Sequence, residues 1–149
     1  SKRYKYNLYK IKSLKKNKVK KYFFNIKKEK TLAVLGMGED GHIASIFENS
    51  KKFKKLIDIK EKPNFFYTEK IGNPFLRRIT MNLSAINLSN KIIIILNNKK
   101  KIKKFRYFLH FKGKNLSPIN HLINRARNRI YLSVKNKIIS LSEFSSAKL

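Results

Sequence analysis

Residues Thr31 to Phe47 read TLAVLGMGEDGHIASIF. The first five form a short apolar, partly β-branched run that Gly36 closes, which predicts a buried strand ending in a tight turn. Three glycines, an acidic pair and a histidine follow, and His42 to Phe47 reads as the start of a helix. The fold and the chemistry both depend on what this loop holds.

Gly36-Met37-Gly38-Glu39-Asp40-Gly41 is formally G-x-G-x-x-G after a strand, the dinucleotide-binding fingerprint, with Asp58 near the distance expected of a ribose-binding acid. That reading is opposed by Glu39 and Asp40, which would stand beside the pyrophosphate and repel it. A second reading is an ordinary strand-to-helix turn, in which the glycines supply unusual backbone angles and Asp40 caps the helix. A third takes Asp40 and His42 as a working pair at the carboxyl end of a strand, where open α/β sheets place their ligand sites.

Outward from the loop, the pattern alternates. The lysine-rich segment Ser1 to Lys30 has helical spacing of Tyr, Leu, Ile and Phe and reads as a basic helix. Pro63 breaks the chain before a second strand, Phe65 to Lys70, and Gly72, Asn73 and Pro74 make a loop. Asn82 to Asn87 fits a short helix. KIIIILNN, from Lys91, is the clearest strand, unbroken and aliphatic as when both faces of a parallel strand are covered. Lys99 to Phe111 then places Ile102, Phe105, Phe108 and Leu109 on one side of a helix and lysines on the other. Pro118 suits the first turn of another helix, and RIYLSV, ending at Val134, is a last strand. Strands alternating with helices predict an α/β layered fold with a largely parallel sheet. The whole chain, 1–149, reads as one domain.

The 149 residues are 42% hydrophobic, with 11 Phe and 7 Tyr, enough to bury a core. There is no Cys, so thiolate and disulfide chemistry are excluded. Three His and 8 acidic residues leave little for a protein metal cage, and neither a metal nor an organic cofactor is expected. Neither a membrane span nor a signal peptide is read, which predicts a soluble, cytoplasmic protein, and the start at Ser1 without Met suggests missing sequence upstream. The formal net charge of +29 invites a nucleic-acid partner. Arg, the better residue for bidentate contacts, is scarce among the cations, whereas Lys, Asn, Ile, Phe and Tyr, which share A/T-rich codons, are abundant together. Composition bias is the favoured account of the charge and nucleic acid is not the expected partner; a basic nucleic-acid-binding protein or an inactive remnant stays as the alternative reading.

GMGEDGHIASIF resembles the signature of the 6-phosphogluconolactonase family, G-x-G-x-D-G-H-x-A-S-L-F, with Gly36, Gly38, Asp40, Gly41, His42, Ala44, Ser45 and Phe47 in register. It is more distantly similar to that of the glucosamine-6-phosphate deaminases. RRITMNLSAIN resembles the lactonase segment R-I-T-L-T-x-x-A-L-N, with Arg78, Ile79, Thr80, Ala85 and Asn87 in step. IIIILNNKKKIKKF is similar to a family strand and turn whose lysine binds the substrate phosphate, a place taken by Lys101. LSPINHL is a looser counterpart of a P-A-S-x-L segment.

The resemblance spans roughly Thr31 to Leu122. The family's S-G-G-S-T phosphate loop and D-E-R segment have no counterpart in these residues, so the chain looks like the C-terminal part of a Rossmann-like three-layer sandwich whose N-terminal part is lacking. The resemblance implies hydrolysis of 6-phospho-D-glucono-1,5-lactone, with His42 as general base, Asp40 orienting its imidazole, and backbone amides of the Gly36 to Gly41 turn (Gly36, Gly38 and Gly41) assisting the developing oxyanion. Arg78 and Lys101 are implied to hold the 6-phosphate. The partner is then a small sugar phosphate lactone. His110 and His121 lie outside any motif and read as structural or exposed.

Overall fold

The computed structural model describes residues 16–28, 30–114 and 116–147. Its order is α1 (Lys16–Lys28), β1 (Leu32–Gly36), α2 (Phe53–Ile57), β2 (Phe65–Tyr67), β3 (Ile79–Met81), α3 (Leu83–Ile86), β4 (Lys91–Leu96), α4 (Lys99–His110), α5 (Pro118–Ala126), β5 (Ile130–Val134), β6 (Lys137–Ser140) and α6 (Leu141–Ser146). The basic N-terminal helix is present as α1; the part of that expectation before Lys16 lies outside the described residues.

The main sheet runs β1-β4-β5-β6, with β1, β4 and β5 parallel and β6 antiparallel. The mainly parallel α/β architecture is the one expected. Alternation decides the packing: Ile92, Ile94 and Leu96 of β4 and Ile130, Leu132 and Val134 of β5 all point to one face and are buried. There they meet Phe105, Phe108 and Leu109 of α4, Ile119, Leu122 and Ile123 of α5, and Leu141 and Phe144 of α6 in one core cluster. Burying each such side chain contributes about 1.5 to 3 kcal/mol.

The opposite face departs from expectation. The unbroken isoleucine run suggests a strand covered on both sides, yet Ile95 is 39% exposed, and Leu32 and Val34 of β1 are 54% and 56% exposed. One face of the sheet packs, and the other is partly bare. Beside it, Tyr22 and Ile26 of α1, residues 32–35 of β1, and residues of β3 and α3 line a groove of about 570 Å³.

Two further corrections concern local structure. The strand expected over Phe65 to Lys70 covers only Phe65–Tyr67 and pairs antiparallel with β3 in a separate two-stranded sheet. His42 to Phe47 does not begin a helix. It folds as a turn of isolated bridges, Met37 with Ile43 and Ile43 with Ile46. Ala44 and Ser45 there have φ of 47° and 60°, which a right-handed helix does not permit. Buried Thr80 of β3 stabilises the turn by donating its hydroxyl to the Ala44 carbonyl.

Helices α4 and α5 carry their own start signals. The Asn98 side chain accepts from the Lys101 amide at 2.8 Å, capping α4. At the start of α5 the Ser117 backbone N–H and hydroxyl donate to the Asn120 side-chain oxygen at 3.1 and 2.7 Å, and Pro118 fills the first turn. Among the described residues no helix is long and apolar enough to cross a membrane.

Candidate active site

The loop after β1 closes on itself. The Gly38 amide donates to the His42 carbonyl at 2.9 Å and the Gly41 amide to the Gly38 carbonyl at 3.1 Å. Its far side is tied to α5, where the Ile119 amide donates to the Gly41 carbonyl at 3.1 Å. These bonds bring Asp40 and His42 together: Asp40 Oδ1 lies 2.6 Å from His42 Nδ1 and also accepts the His42 amide at 3.2 Å. An ionised carboxylate only accepts, so in this contact Nδ1 is the donor and Nε2 is the ring nitrogen that Asp40 leaves unengaged. Because 63% of the Asp40 side chain is exposed, the pair adds little to stability; what it fixes is the tautomer and ring direction. With 32% of the His42 side chain exposed, the imidazole is within reach of water.

The glycines differ in what they do. A Cβ on Gly38 would stand 2.1 Å from His42 Nδ1 and 2.4 Å from Asp40 Oδ1, so the pair occupies the space that only glycine leaves. Gly41, at φ +84°, is pressed against Ser117 and Phe108. At Gly36, exposed at the end of β1, a Cβ would meet nothing within 4 Å. The Gly38 and Gly41 amides are engaged within the loop, and both glycines leave space that a side chain would fill.

The His42 ring stacks on buried Phe47, with centroids 4.2 Å apart and planes 30° from parallel. The Arg78 guanidinium lies over the same phenyl ring, 5.6 Å from its centroid. Arg78 also donates to the main-chain oxygens of Ile71, Leu76 and Pro74. Lys101 is half-buried in the first turn of α4. Gly36 pairs with Ile95, so the start of α4 and the glycine loop stand at the same end of the sheet.

The dinucleotide reading fails on this geometry. No helix follows β1 directly, so the glycines do not lead into a helix of their own as that motif requires, and Asp58 caps the end of α2, accepting from the Lys60 amide at 2.8 Å. Burial holds His121 below the ordinary histidine pKa, with Arg125 adding to the shift, and its ring meets Phe53 edge-on, a packing role as expected. Among the described residues no three His, Cys, Asp or Glu side chains cluster as metal ligands would.

The family model for glucosamine-6-phosphate isomerases/6-phosphogluconolactonase matches residues 6–132, which takes in the glycine loop, β3, β4 and α4. The chain belongs to this family. A 6-phosphogluconolactonase of Thermotoga maritima is 34% identical over 79 residues, covering 52% of this chain and 32% of the relative. One from Neisseria meningitidis serogroup A is 32% identical over 98 residues, covering 65% of this chain and 41% of the relative. Among solved structures, a 6-phosphogluconolactonase from Shewanella baltica superposes with a TM-score of 0.55 at 26% identity, over 68% of this chain and 42% of that one. The matched segment thus spans less than half the length of each of these family members.

Sequence reasoning placed Phe47 in the motif but gave it no role. Its stacking needs Gly72, 25 positions away, whose absent Cβ would lie 2.6 Å from Phe47 Cζ. Asn120 was also missed; its side-chain amide donates to the Phe108 carbonyl at 2.6 Å, locking α5 to α4 behind the loop. The signal available was the S-P-x-N spacing of a helix start.

Proposed function

We propose that this chain carries the histidine half of a cytoplasmic 6-phosphogluconolactonase site, hydrolysing 6-phospho-D-glucono-1,5-lactone in the oxidative pentose phosphate pathway. The observation that carries the reading is the Asp40–His42 pair, 2.6 Å apart in a loop whose glycine at 38 leaves room for it. His42 Nε2 takes a proton from water as the water oxygen bonds to C1 of the lactone. The tetrahedral oxyanion collapses, the bond from C1 to the ring oxygen breaks, and the imidazolium returns its proton to that oxygen. Such positioned proton transfer contributes about 10² to 10⁴ in rate, adequate for a reactive ester.

The open space above Gly36 lies where the lactone ring would approach. Lys101, at the same end of the sheet, is assigned to the 6-phosphate as a point charge beside a helix N-terminus. The deaminase reading has less support, because the curated relatives named above are lactonases.

The test is hydrolysis of freshly generated lactone, with the spontaneous rate subtracted, by this chain and its His42→Ala variant. The expected result is a catalysed rate that falls by about 10² or more in the variant. Equal rates from two folded proteins would refute the assignment of His42.

A further inference from the structure

We propose that Arg78 acts as a positioning residue, holding the Ile71–Leu76 loop and the Phe47 ring beneath His42, and is not a ligand of the substrate phosphate. The inference deepens the lactonase reading and rests on it for its kinetic arm. Arg78 Nη1 donates to the Ile71 and Leu76 carbonyls and Nη2 to the Pro74 carbonyl, so the end of the guanidinium fork is already occupied by main-chain oxygens. Turning that end outward to two phosphate oxygens would strip a partner from the part-buried Ile71 carbonyl and undo the bonds that hold the loop at Pro74 and Leu76.

The Arg78 backbone is fixed as well. Its amide donates to Thr68 Oγ1 at 2.9 Å, and its carbonyl accepts from the Thr68 amide at 2.9 Å. The Ile71 amide donates to the Leu76 carbonyl at 3.2 Å, closing the loop that the guanidinium fills.

The loop in turn bears on the catalytic histidine. Gly72, at φ +77°, sits so near that a Cβ there would lie 2.6 Å from Phe47 Cζ and 3.3 Å from Arg78 Nη1. Phe47 is 6% exposed and carries the stacked imidazole. The chain of contact therefore runs from three loop carbonyls through one guanidinium and one phenyl ring to His42. Asp40 sets which nitrogen of His42 is protonated, and Phe47 with Arg78 sets the plane of the ring.

Arg78→Lys separates the two roles, because a lysine keeps the charge but its donors radiate from a single nitrogen and do not reproduce the planar two-nitrogen fork that spans the Ile71, Leu76 and Pro74 carbonyls. The measurements are kcat and KM on the lactone, inhibition by inorganic phosphate, and the NMR shifts of the His42 ring protons, all on the full chain. Positioning predicts that kcat falls about tenfold or more while KM and the phosphate inhibition constant stay within about twofold. It also predicts that the His42 signals move, as the ring current of Phe47 changes, and that Phe47→Leu moves them too and lowers kcat. A phosphate ligand would give the reverse: KM and the inhibition constant raised about tenfold, with kcat and the His42 signals unchanged. That result would overturn the proposal, as would a Phe47→Leu variant with wild-type kcat. If the chain proves to have no lactonase activity, the His42 signals still decide the geometry, since Arg78→Lys must shift them and Lys101→Ala must not.

Discussion

Strand β1 separates two regions built to different standards. At its carboxyl end, residues 37–47 form a loop closed by its own hydrogen bonds, tied to α5 by the Gly41 carbonyl and to β3 by Thr80, with Asp40 and His42 paired inside it. Along its body, Leu32 and Val34 are more than half exposed beside a groove of about 570 Å³. The contrast shows that the geometry of the Asp40–His42 pair is local. It is set by a few residues and the ends of α5 and β3, and it does not depend on a sheet buried on both faces.

The largest effect that would break this comparison is expected from Gly38→Ala. The added methyl would fall on the Asp40–His42 pair, so the catalysed rate should drop by about 10² to 10⁴, as if the proton transfer itself were removed. Gly36→Ala, whose methyl meets nothing, should leave the thermal midpoint unchanged. Steady-state kinetics and thermal unfolding of both variants check this; a Gly38→Ala enzyme with normal kcat would show that the loop is not as tightly fitted as described.

A smaller effect sharpens the other side. Ile94 is fully buried, and Ile94→Ala should cost about 2 to 5 kcal/mol in chemical denaturation. Val34→Thr, on the bare face, should change stability by no more than about 0.5 kcal/mol, the usual range for surface substitutions. A large loss from Val34→Thr would mean that this face is covered in solution.

The sequence made the loop legible because its chemistry is contiguous: glycine, acid, glycine and histidine within seven residues, at the end of an apolar run. Helices α4 and α5 were legible because Phe105, Phe108 and Leu109 recur at helical spacing and Pro118 marks a start. What escaped was set by partners far away in the chain. Nothing in HIASIF announces that Thr80 will hold the Ala44 carbonyl and turn an apparent helix start into a left-handed turn. Nothing in KIIIIL distinguishes a strand covered twice from one covered once, since isoleucine suits both. The same limit applies to Arg78: its place in R-I-T was readable, but its three carbonyl partners depend on how residues 71–76 fold back.

The most direct test of the central claim is the protonation of the His42 ring, read from its nitrogen shifts in protein labelled with nitrogen-15 at neutral pH. The account predicts that the proton of the uncharged ring sits on Nδ1, held by Asp40, with Nε2 as the accepting nitrogen; Asp40→Asn should abolish that preference. A ring protonated at Nε2 in the unaltered chain would contradict the account, because no lone pair would then face water to act as the base.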